Sequence, residues 1–327
     1  MLSTKYPNIR GEMDRDKSLE LCRKKITTHI NVSQLKLFFS EMMFLNLYSK
    51  KGDTVVYVGA APGFHMGKLA DLYPDCHFEL WDVRDYDFIP RRNISVNKFY
   101  FTDKDARKYR ENSKGYLFMC DLSDNDIVEP LKTHDIDGLS VSVDKDMYAQ
   151  FKWCRLMKPR AAFLKFKLSY RNPPTYYFGG NIILQPFSKL NNESRIVVTD
   201  YTNLVEYNSA EYDKKMAYHN AINRCRKYSD SSWTDFLNKH NFYPGWDTII
   251  ALGIVLDYVD KTNRTEKTKY ELQIVAVDIF LEILMYHRDK YWNTSVGAEI
   301  DKIYGYHPTG EELENIVKTR RWGRRQA

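Results

Sequence analysis

Residues 54–63 run Thr-Val-Val-Tyr-Val-Gly-Ala-Ala-Pro-Gly, and this segment decides the fold. Apolar and β-branched residues lead to Gly59, and small residues with one proline lead on to Gly63. This pattern predicts a buried strand, a tight turn and the start of a helix. Ligands of open α/β sheets bind at the carboxyl ends of the strands, and a residue without a Cβ atom lets the backbone approach a ligand closely. We therefore expect Gly59 and Gly63 to lie against a cofactor.

A carboxylate ends the next predicted strand. Asp82 stands about 20 positions beyond the glycines, where nucleotide-binding α/β folds place an acid that accepts hydrogen bonds from ribose hydroxyls. The spacing Gly-x-x-x-Gly differs from the dinucleotide fingerprint Gly-x-Gly-x-x-Gly, which argues against a nicotinamide-dependent dehydrogenase. The loop and the carboxylate together predict a cofactor that contains adenosine. An ordinary strand–helix turn of an α/β domain is the alternative.

Strand and helix patterns alternate along most of the chain. Strands are predicted near residues 53–58, 77–82, 92–99, 116–121, 161–168, 181–186 and 194–200, and helices near residues 18–25, 33–50, 143–157, 206–228, 246–257 and 270–288. The alternation predicts a doubly wound, mostly parallel α/β sheet with helical additions toward the C-terminus. We expect an arm over residues 1–30, a core over 31–230, and a helical extension with a basic tail over 231–327. The stretch Ser169–Gly180 is predicted to be a long loop, of the kind that is usually functional or disordered.

Composition predicts a globular protein without a membrane partner. Hydrophobic residues make up 43% of the 327 residues and aromatic residues 14%, which supports a large core. No apolar run approaches the roughly 20 residues of a membrane span, and Met1–Pro7 lack the apolar centre of a signal peptide. The five cysteines stand singly, without zinc or redox spacing. We therefore expect no metal site, and reduced thiols in a cytoplasmic compartment.

The positive charge of the chain is mild overall and concentrated at its end. The formal net charge is +6, and Lys318–Ala327 carry five positive side chains. Such a segment is typical of a tail that contacts nucleic acid. A solvated terminus without a partner is the alternative.

Four ionisable residues stand near the ends of predicted elements, where an α/β enzyme places its chemistry. Lys36 lies on the helix before the first strand, Asp121 ends a strand, and Glu193 precedes one. Lys165 interrupts an otherwise apolar strand, which costs free energy unless the ammonium is paired or loses its charge. The alternative for Lys165 is an edge-strand lysine that extends to solvent. The four residues together predict a catalytic site.

This set resembles the Lys-Asp-Lys-Glu tetrad of ribose 2′-O-methyltransferases. Other segments are similar to the poxvirus family of cap-specific mRNA 2′-O-methyltransferases that also serve as regulatory subunits of poly(A) polymerase: Gln34–Leu37, Glu41, Phe44-Leu45, Thr54–Gly63, Asp82–Arg84, Leu164-Lys165, Ile183–Phe187, Glu193–Arg195 and Tyr212–Met216. Each motif is weak alone, but their shared order between residues 33 and 220 is specific. The resemblance implies the Rossmann-like fold of S-adenosylmethionine-dependent methyltransferases and a large DNA virus as the source.

The resemblance also implies a reaction and its catalytic residues. The enzyme would transfer a methyl group from S-adenosylmethionine to the ribose 2′-hydroxyl of the first transcribed nucleotide, converting cap0 to cap1. Lys165 would act as base or as hydroxyl-orienting group, Asp121 and Glu193 would position the lysines, and Lys36 would supply positive charge. A lysine base needs its pKa lowered from about 10.4 toward the working pH. The alternative is an RNA-binding processivity subunit of a viral poly(A) polymerase, either non-catalytic or bifunctional.

The family's binding residues carry over onto matching positions of this chain. For the cofactor they are Gln34, Tyr57, Gly59, Gly63, Asp82, Arg84 and the shared Asp121. For the cap, Tyr170 would stack on 7-methylguanine, Asp213 would contact its edge, and Asn172 replaces a second acid. Lys167 and Arg195 are assigned to the cap and RNA, and Tyr6 of the arm is the candidate for the second ring.

The register of the cap-binding loop stays open in this interpretation. The loop from Lys165 to Gln185 is shorter than the family's, so Tyr176 or Tyr177 could stand in place of Tyr170. Capped mRNA and a poly(A) polymerase catalytic subunit are the expected partners. The expected location is the virion and the host cytoplasm, within the viral factory, or the cytoplasm if the source is not viral.

Overall fold

The computed structural model describes residues 3–24, 32–111, 115–123, 136–169, 174–188, 192–228, 233–239, 242–262 and 267–290. The strands are β1 Thr54–Val58, β2 His77–Trp81, β3 Ile94–Asn97, β4 Tyr116–Cys120, β5 Ala161–Phe166, β6 Thr175–Phe178, β7 Asn181–Ile183, β8 Ser194–Val198 and β9 Leu204–Tyr207. The helices are α1 Arg15–Lys24, α2 Ser33–Tyr48, α3 Met66–Leu72, α4 Asp103–Glu111, α5 Ile136–Met157, α6 Ser209–Tyr218, α7 Thr234–Lys239, α8 Trp246–Thr262 and α9 Lys269–Lys290.

Seven strands form one mixed sheet in the order β3-β2-β1-β4-β5-β8-β7. The pairings from β3 to β5 are parallel, and β8 pairs antiparallel with both β5 and β7. Every residue of β4 and β8 is buried, as expected for central strands that helices cover on both faces. The predicted doubly wound, mostly parallel α/β fold with C-terminal helices is confirmed.

The described helices pack in separate groups. Helix α2 packs against α3, α8 and α9, α4 packs against α5, which also contacts β5, and α1 packs against α6. Phe38, Phe39 and Phe44 of α2 are fully buried, and the ring of Phe39 lies 5.6 Å from that of Phe280 on α9. The C-terminal helices therefore share one hydrophobic core with the sheet. No helix in the described part of the chain is long and apolar enough to span a membrane.

The structure corrects two predicted elements. The predicted loop Ser169–Gly180 contains strand β6, and the predicted helix at 206–228 begins only at Ser209, after strand β9. β6 and β9 pair antiparallel as a separate two-stranded sheet. Because each strand is short and its partner is distant in the chain, no local pattern indicates the pairing. Helix α4 also has no counterpart among the predicted elements; its sequence is largely charged.

The N-terminal residues lie against the core. Lys5 forms an antiparallel bridge with Ile183 of β7, and the hydroxyl of Ser18 donates to the carbonyl oxygen of Ala217 on α6 at 2.8 Å. The arm therefore runs from the edge of the sheet to α6. The basic segment Lys318–Ala327 lies outside the described residues.

Candidate active site

The four side chains that are predicted as catalytic lie together where the parallel strands β4 and β5 end. Asp121 directly follows β4, and Lys165 stands near the end of the neighbouring parallel strand β5. Because β8 runs antiparallel to β5, the first residues of β8 lie beside the last residues of β5, and Glu193 directly precedes β8. Lys36 lies near the start of α2, and its side chain forms an ion pair with Glu193. The convergence follows from strand order and direction.

Two lysine–carboxylate contacts connect these side chains. Lys36 Nζ lies 2.6 Å from Glu193 Oε1, and Lys165 Nζ lies 3.8 Å from Asp121 Oδ1. Lys165 Nζ also donates to the carbonyl oxygen of Leu122 at 3.1 Å. The side chains of Lys165 and Asp121 are 14% and 20% exposed. The pair is thus largely desolvated, although it is partly exposed to solvent. Charges in such a place interact more strongly than they do at a surface.

Arg195 is a fifth charged member of this cluster. Its Nη2 lies 2.8 Å from Asp121 Oδ1 and 3.6 Å from Glu193 Oε1. Its side chain is 1% exposed, and the guanidinium is enclosed between the two carboxylates; the contact of Arg195 with cap or RNA stays a prediction. Alternation in an extended segment puts residues 193 and 195 on one face. That spacing is the sequence signal that could have placed Arg195 beside Glu193.

Electrostatics in the cluster favour charged forms. Burial by itself raises the carboxyl pKa values, but the neighbouring cations hold the pKa of Asp121 below its usual range and that of Glu193 well below it. Burial by itself lowers the pKa of Lys165, yet Glu193 and Asp121 outweigh burial and raise it. The lowered lysine pKa that a base requires is therefore not found for Lys165. Three cations and two carboxylates leave the cluster positive.

The glycine loop lies directly against the cluster. Gly59 and Gly63 have positive φ angles of 78° and 57°, which side chains disfavour. A Cβ atom on Gly59 would lie 2.7 Å from the backbone of Asp121, and one on Gly63 would lie 2.6 Å from the carbonyl oxygen of Ala60. These glycines are thus required by the close approach of the protein's own backbone. The loop holds Asp121 next to the expected cofactor position.

Asp82 lies beside this loop with its acceptor positions occupied. Its Oδ1 accepts from the N and Nε of Arg84, each at 3.0 Å. Its Oδ2 accepts from Arg84 Nη2 at 2.7 Å and from the amide of Ala61 at 3.1 Å. A carboxylate has about four lone-pair positions, so ribose hydroxyls can bind here only if Arg84 releases a hydrogen bond. The Arg84 side chain is 45% exposed and has room to move.

Gln34 and Tyr57 belong to a buried polar chain beneath the loop. The hydroxyl of Tyr57 donates to Glu41 Oε1 at 2.6 Å. Nε2 of the His65 ring lies 2.8 Å from Glu41 Oε2, and Nδ1 lies 2.8 Å from Gln34 Oε1. Tyr57 is 2% exposed, and its hydroxyl belongs to this network; its contact with the cofactor stays a prediction. Sequence analysis does not place Glu41 and His65 in the site. Their contacts link α2 with β1 and with the loop before α3, and no local pattern shows such contacts.

The predicted cap residues are only partly described. Tyr170 and Asn172 lie outside the described residues. Asp213 lies on α6, where burial raises its carboxyl pKa and Arg15 partly offsets the rise. The ring of Tyr6 lies 5.1 Å from that of Tyr212, next to Asp213 in the chain. The arm therefore brings an aromatic ring to the helix that carries the predicted edge contact.

Two further aromatic candidates differ in access. Tyr176 is 70% exposed, whereas Tyr177 is buried in the core. Of these two alternatives, only Tyr176 offers its ring to a ligand. Lys167 lines a cleft beside Lys165, together with Asp146 and Gln150 of α5.

Comparison with known proteins adds a family and several viral relatives. A family model described as poly(A) polymerase regulatory subunit matches residues 4–274. The chain is similar to the cap-specific mRNA (nucleoside-2′-O-)-methyltransferase of fowlpox virus (strain NVSL), with 29% identity over 236 residues, which cover 66% of this chain and 74% of that protein. Proteins of the same name from the Lausanne and Uriarra strains of myxoma virus are 27% identical over 221 residues, covering 59% of this chain and 62% of each relative. The chain thus spans less than two thirds of the myxoma proteins.

Proposed function

Because this chain belongs to the family of poly(A) polymerase regulatory subunits, we propose that it is a cap-specific mRNA 2′-O-methyltransferase. It transfers a methyl group from S-adenosylmethionine to the ribose 2′-hydroxyl of the first transcribed nucleotide, converting cap0 to cap1. The observation that carries the proposal is the convergence of Lys36, Asp121, Lys165 and Glu193 beside the Gly59 loop. The names of the fowlpox and myxoma relatives support it.

Lys165 orients the acceptor hydroxyl in this mechanism. An ammonium group has three donors; Lys165 Nζ donates to the carbonyl oxygen of Leu122 and lies 3.8 Å from Asp121 Oδ1, and we assign a further donor to the acceptor hydroxyl. A donor on the 2′-oxygen would turn a lone pair toward the methyl group and stabilise the charge that develops on the oxygen, and the hydroxyl proton would pass to water at the partly exposed Lys165–Asp121 pair. The raised pKa of Lys165 favours this orienting role over the role of base. S-adenosylmethionine supplies the electrophilic methyl group.

The other charged residues hold the lysines in place. Glu193 positions Lys36, and Asp121 positions Lys165. Arg195 shares both carboxylates, so they do not fully neutralise the two lysines. The remaining positive charge attracts the phosphates of RNA.

Binding of the cofactor and the cap is assigned to residues around this cluster. Gly59, Gly63, Asp82, Arg84 and Gln34 hold the cofactor, and Asp121 lies between cofactor and acceptor. Tyr170, Asn172, Asp213 and Lys167 hold the capped RNA, with Tyr6 as the second ring. A methylguanine carries a positive charge, so stacking on aromatic rings adds cation–π attraction and favours methylated caps.

Methyl transfer to defined RNAs tests the proposal. Purified protein is incubated with labelled S-adenosylmethionine and a short capped RNA whose first nucleotide has a free 2′-hydroxyl. The matched control RNA is already 2′-O-methylated at that nucleotide. Label should enter only the first RNA, and digestion should locate it on the first nucleotide. Equal labelling of both RNAs, or of neither, contradicts the proposal.

A second function is favoured by the family description itself. The matched model is that of a poly(A) polymerase regulatory subunit, and we propose that the protein also binds a poly(A) polymerase catalytic subunit and raises its processivity. Adding the protein to that subunit should lengthen the poly(A) products. The Lys165→Ala variant should still lengthen them if the polymerase subunit binds outside the Lys165 cluster. We place both functions in the virion and the host cytoplasm, within the viral factory.

A further inference from the structure

Strand β5 extends two residues, Lys165 and Phe166, beyond its last pair with its parallel neighbour β4. The last residue of β4, Cys120, pairs with Leu164. Directly after it, the amide of Asp121 donates to the carbonyl oxygen of Val58 at 3.0 Å, which continues the ladder between β4 and β1. Lys165 is therefore the first residue of β5 without a paired residue in β4.

The side chain of Gln150 binds the backbone of Lys165 at this position. Its Oε1 accepts from the amide of Lys165 at 2.9 Å, and its Nε2 donates to the carbonyl oxygen of Lys165 at 3.1 Å. Gln150 projects from α5 and is fully buried. A primary amide has the same donor and acceptor as a peptide group, so the pair continues the sheet by one position. Without it, the amide and the carbonyl group of Lys165 would each lose a hydrogen bond in a partly buried place.

We propose that Gln150 is a positioning residue for Lys165, an inference that rests on the proposed function. The two hydrogen bonds fix the backbone from which Lys165 reaches Leu122 and Asp121. On the other side of β5, Lys165 pairs with Arg195 of β8. The backbone of Lys165 is therefore held between Gln150 and β8. A displacement of about 1 Å at a reacting group can cost about 100-fold in rate.

Two substitutions test the role of the amide. Gln150→Met keeps the length of the side chain and removes both hydrogen bonds, and Gln273→Met is the matched control at a buried glutamine of α9. We expect Gln150→Met to lower kcat about 100-fold, with the affinity for S-adenosylhomocysteine within about twofold of wild type. Gln273→Met should keep the wild-type kcat. Thermal melting checks that each variant is folded.

The pH dependence of kcat in the Gln150→Glu variant distinguishes a positioning role from a merely structural one. A protonated carboxylic acid donates and accepts as the amide does, whereas the carboxylate cannot donate. The kcat of this variant, relative to wild type, should therefore rise as the pH is lowered. A relative kcat that is flat with pH contradicts the proposal, as does a Gln150→Met variant with the wild-type kcat. An equal loss of kcat and cofactor affinity in Gln150→Met would also overturn it.

Amide hydrogen exchange separates this proposal from the proposed function. If wild-type protein does not methylate capped RNA, the proposed function fails, but the exchange rate of the Lys165 amide still reports the contact. Gln150→Met should raise that rate by roughly tenfold, the equivalent of one lost hydrogen bond, and leave Phe163 unchanged. Unchanged exchange at Lys165 overturns the positioning role.

Discussion

Five charged side chains share one partly buried space at the ends of β4 and β5, and their pairing decides which of them can act on a substrate. Arg195 is enclosed and bridges Asp121 and Glu193, whereas Lys36 and Lys165 stay partly exposed. Arg195 is the main cation that lowers the pKa of Asp121, Lys36 is the main one for Glu193, and the two carboxylates raise the pKa of Lys165. A charged lysine at the open side suits the stabilisation of negative charge on an oxygen atom.

Substitution of Lys165 separates orientation from proton abstraction. Lys165→Ala should lower the rate of methyl transfer by roughly 1,000-fold or more, because the group acts in the transition state. Lys165→Arg should keep measurable activity, since a guanidinium still donates a hydrogen bond but cannot lose its proton. Single-turnover rates measure both variants.

The control for this pair is Lys152→Ala, which removes a half-exposed lysine that pairs with Asp103. Its rate should equal that of wild type. Binding of S-adenosylhomocysteine, followed by calorimetry, should be unchanged in all three variants. A Lys165→Arg variant as inactive as Lys165→Ala would argue for a base instead of an orienting group.

The carboxylate of Asp82 is expected to bind the ribose of the cofactor. Asp82→Ala should weaken S-adenosylmethionine binding by about 1–3 kcal/mol, because hydrogen bonds to a charged acceptor are lost. Asp85→Ala is the matched control, since Asp85 is almost fully exposed and pairs with Lys98. Calorimetry measures both. Equal affinity of the two variants would place the adenosine site elsewhere.

Among the helices, α8 is joined to α6 by a buried ion pair. A π-helical turn, His219–Asn223, continues α6 and leads to Arg224, whose Nη2 lies 3.1 Å from Asp247 at the start of α8. Asp247 Oδ1 also accepts from the amide of Phe187 at 2.8 Å. Both charged side chains are at most 5% exposed. This pair connects the sheet, through Phe187, with the C-terminal helices.

Removing one partner of this pair should be costly. Asp247→Ala leaves the Arg224 guanidinium buried without its carboxylate, which should lower the free energy of unfolding by about 3–5 kcal/mol. Glu211→Ala removes the exposed pair with Lys215 on α6 and should cost less than about 1 kcal/mol. Urea unfolding measures both. Similar losses in the two variants would show that the buried pair does not hold α8 in place.

The stability of the whole molecule should depend on pH through His287. Its ring lies 5.1 Å from Phe64 of the loop before α3 and 5.5 Å from Phe38 of α2, and its Nδ1 lies 2.8 Å from the carbonyl oxygen of Ile283. Burial lowers the pKa of His287 from 6.5 to about 3. The unfolded chain therefore binds a proton more readily than the folded protein between these values.

Stability should be highest above pH 6.5 and should fall as the pH decreases toward 3. Between pH 7 and pH 5, His287 alone should account for a loss of about 2 kcal/mol. His287→Gln should reduce this loss, which urea unfolding at the two pH values measures. Asp121 and Glu193 have lowered pKa values, so they weaken the fold only at more acidic pH. An identical pH dependence in the variant would contradict the role of His287.

The sequence alone was sufficient for the elements whose signal is local. Thr54–Val58 and Tyr116–Cys120 are predicted as strands and are found as strands. A buried central strand can be predicted because its consecutive residues are nearly all apolar. The glycines of the loop are recognisable for the same reason. The convergence of Lys36, Asp121, Lys165 and Glu193 could also be anticipated, because their motifs resemble those of a known family.

Only the tertiary structure decided the features that depend on distant residues. The pairing of β6 with β9 joins separate parts of the chain, and Arg195 lies between Asp121 and Glu193 although its motif suggested an RNA contact. The direction of the Lys165 pKa follows from how close two carboxylates come to a buried ammonium. Coulomb energy varies with distance and local dielectric constant, and both are properties of the folded molecule, which no local pattern contains.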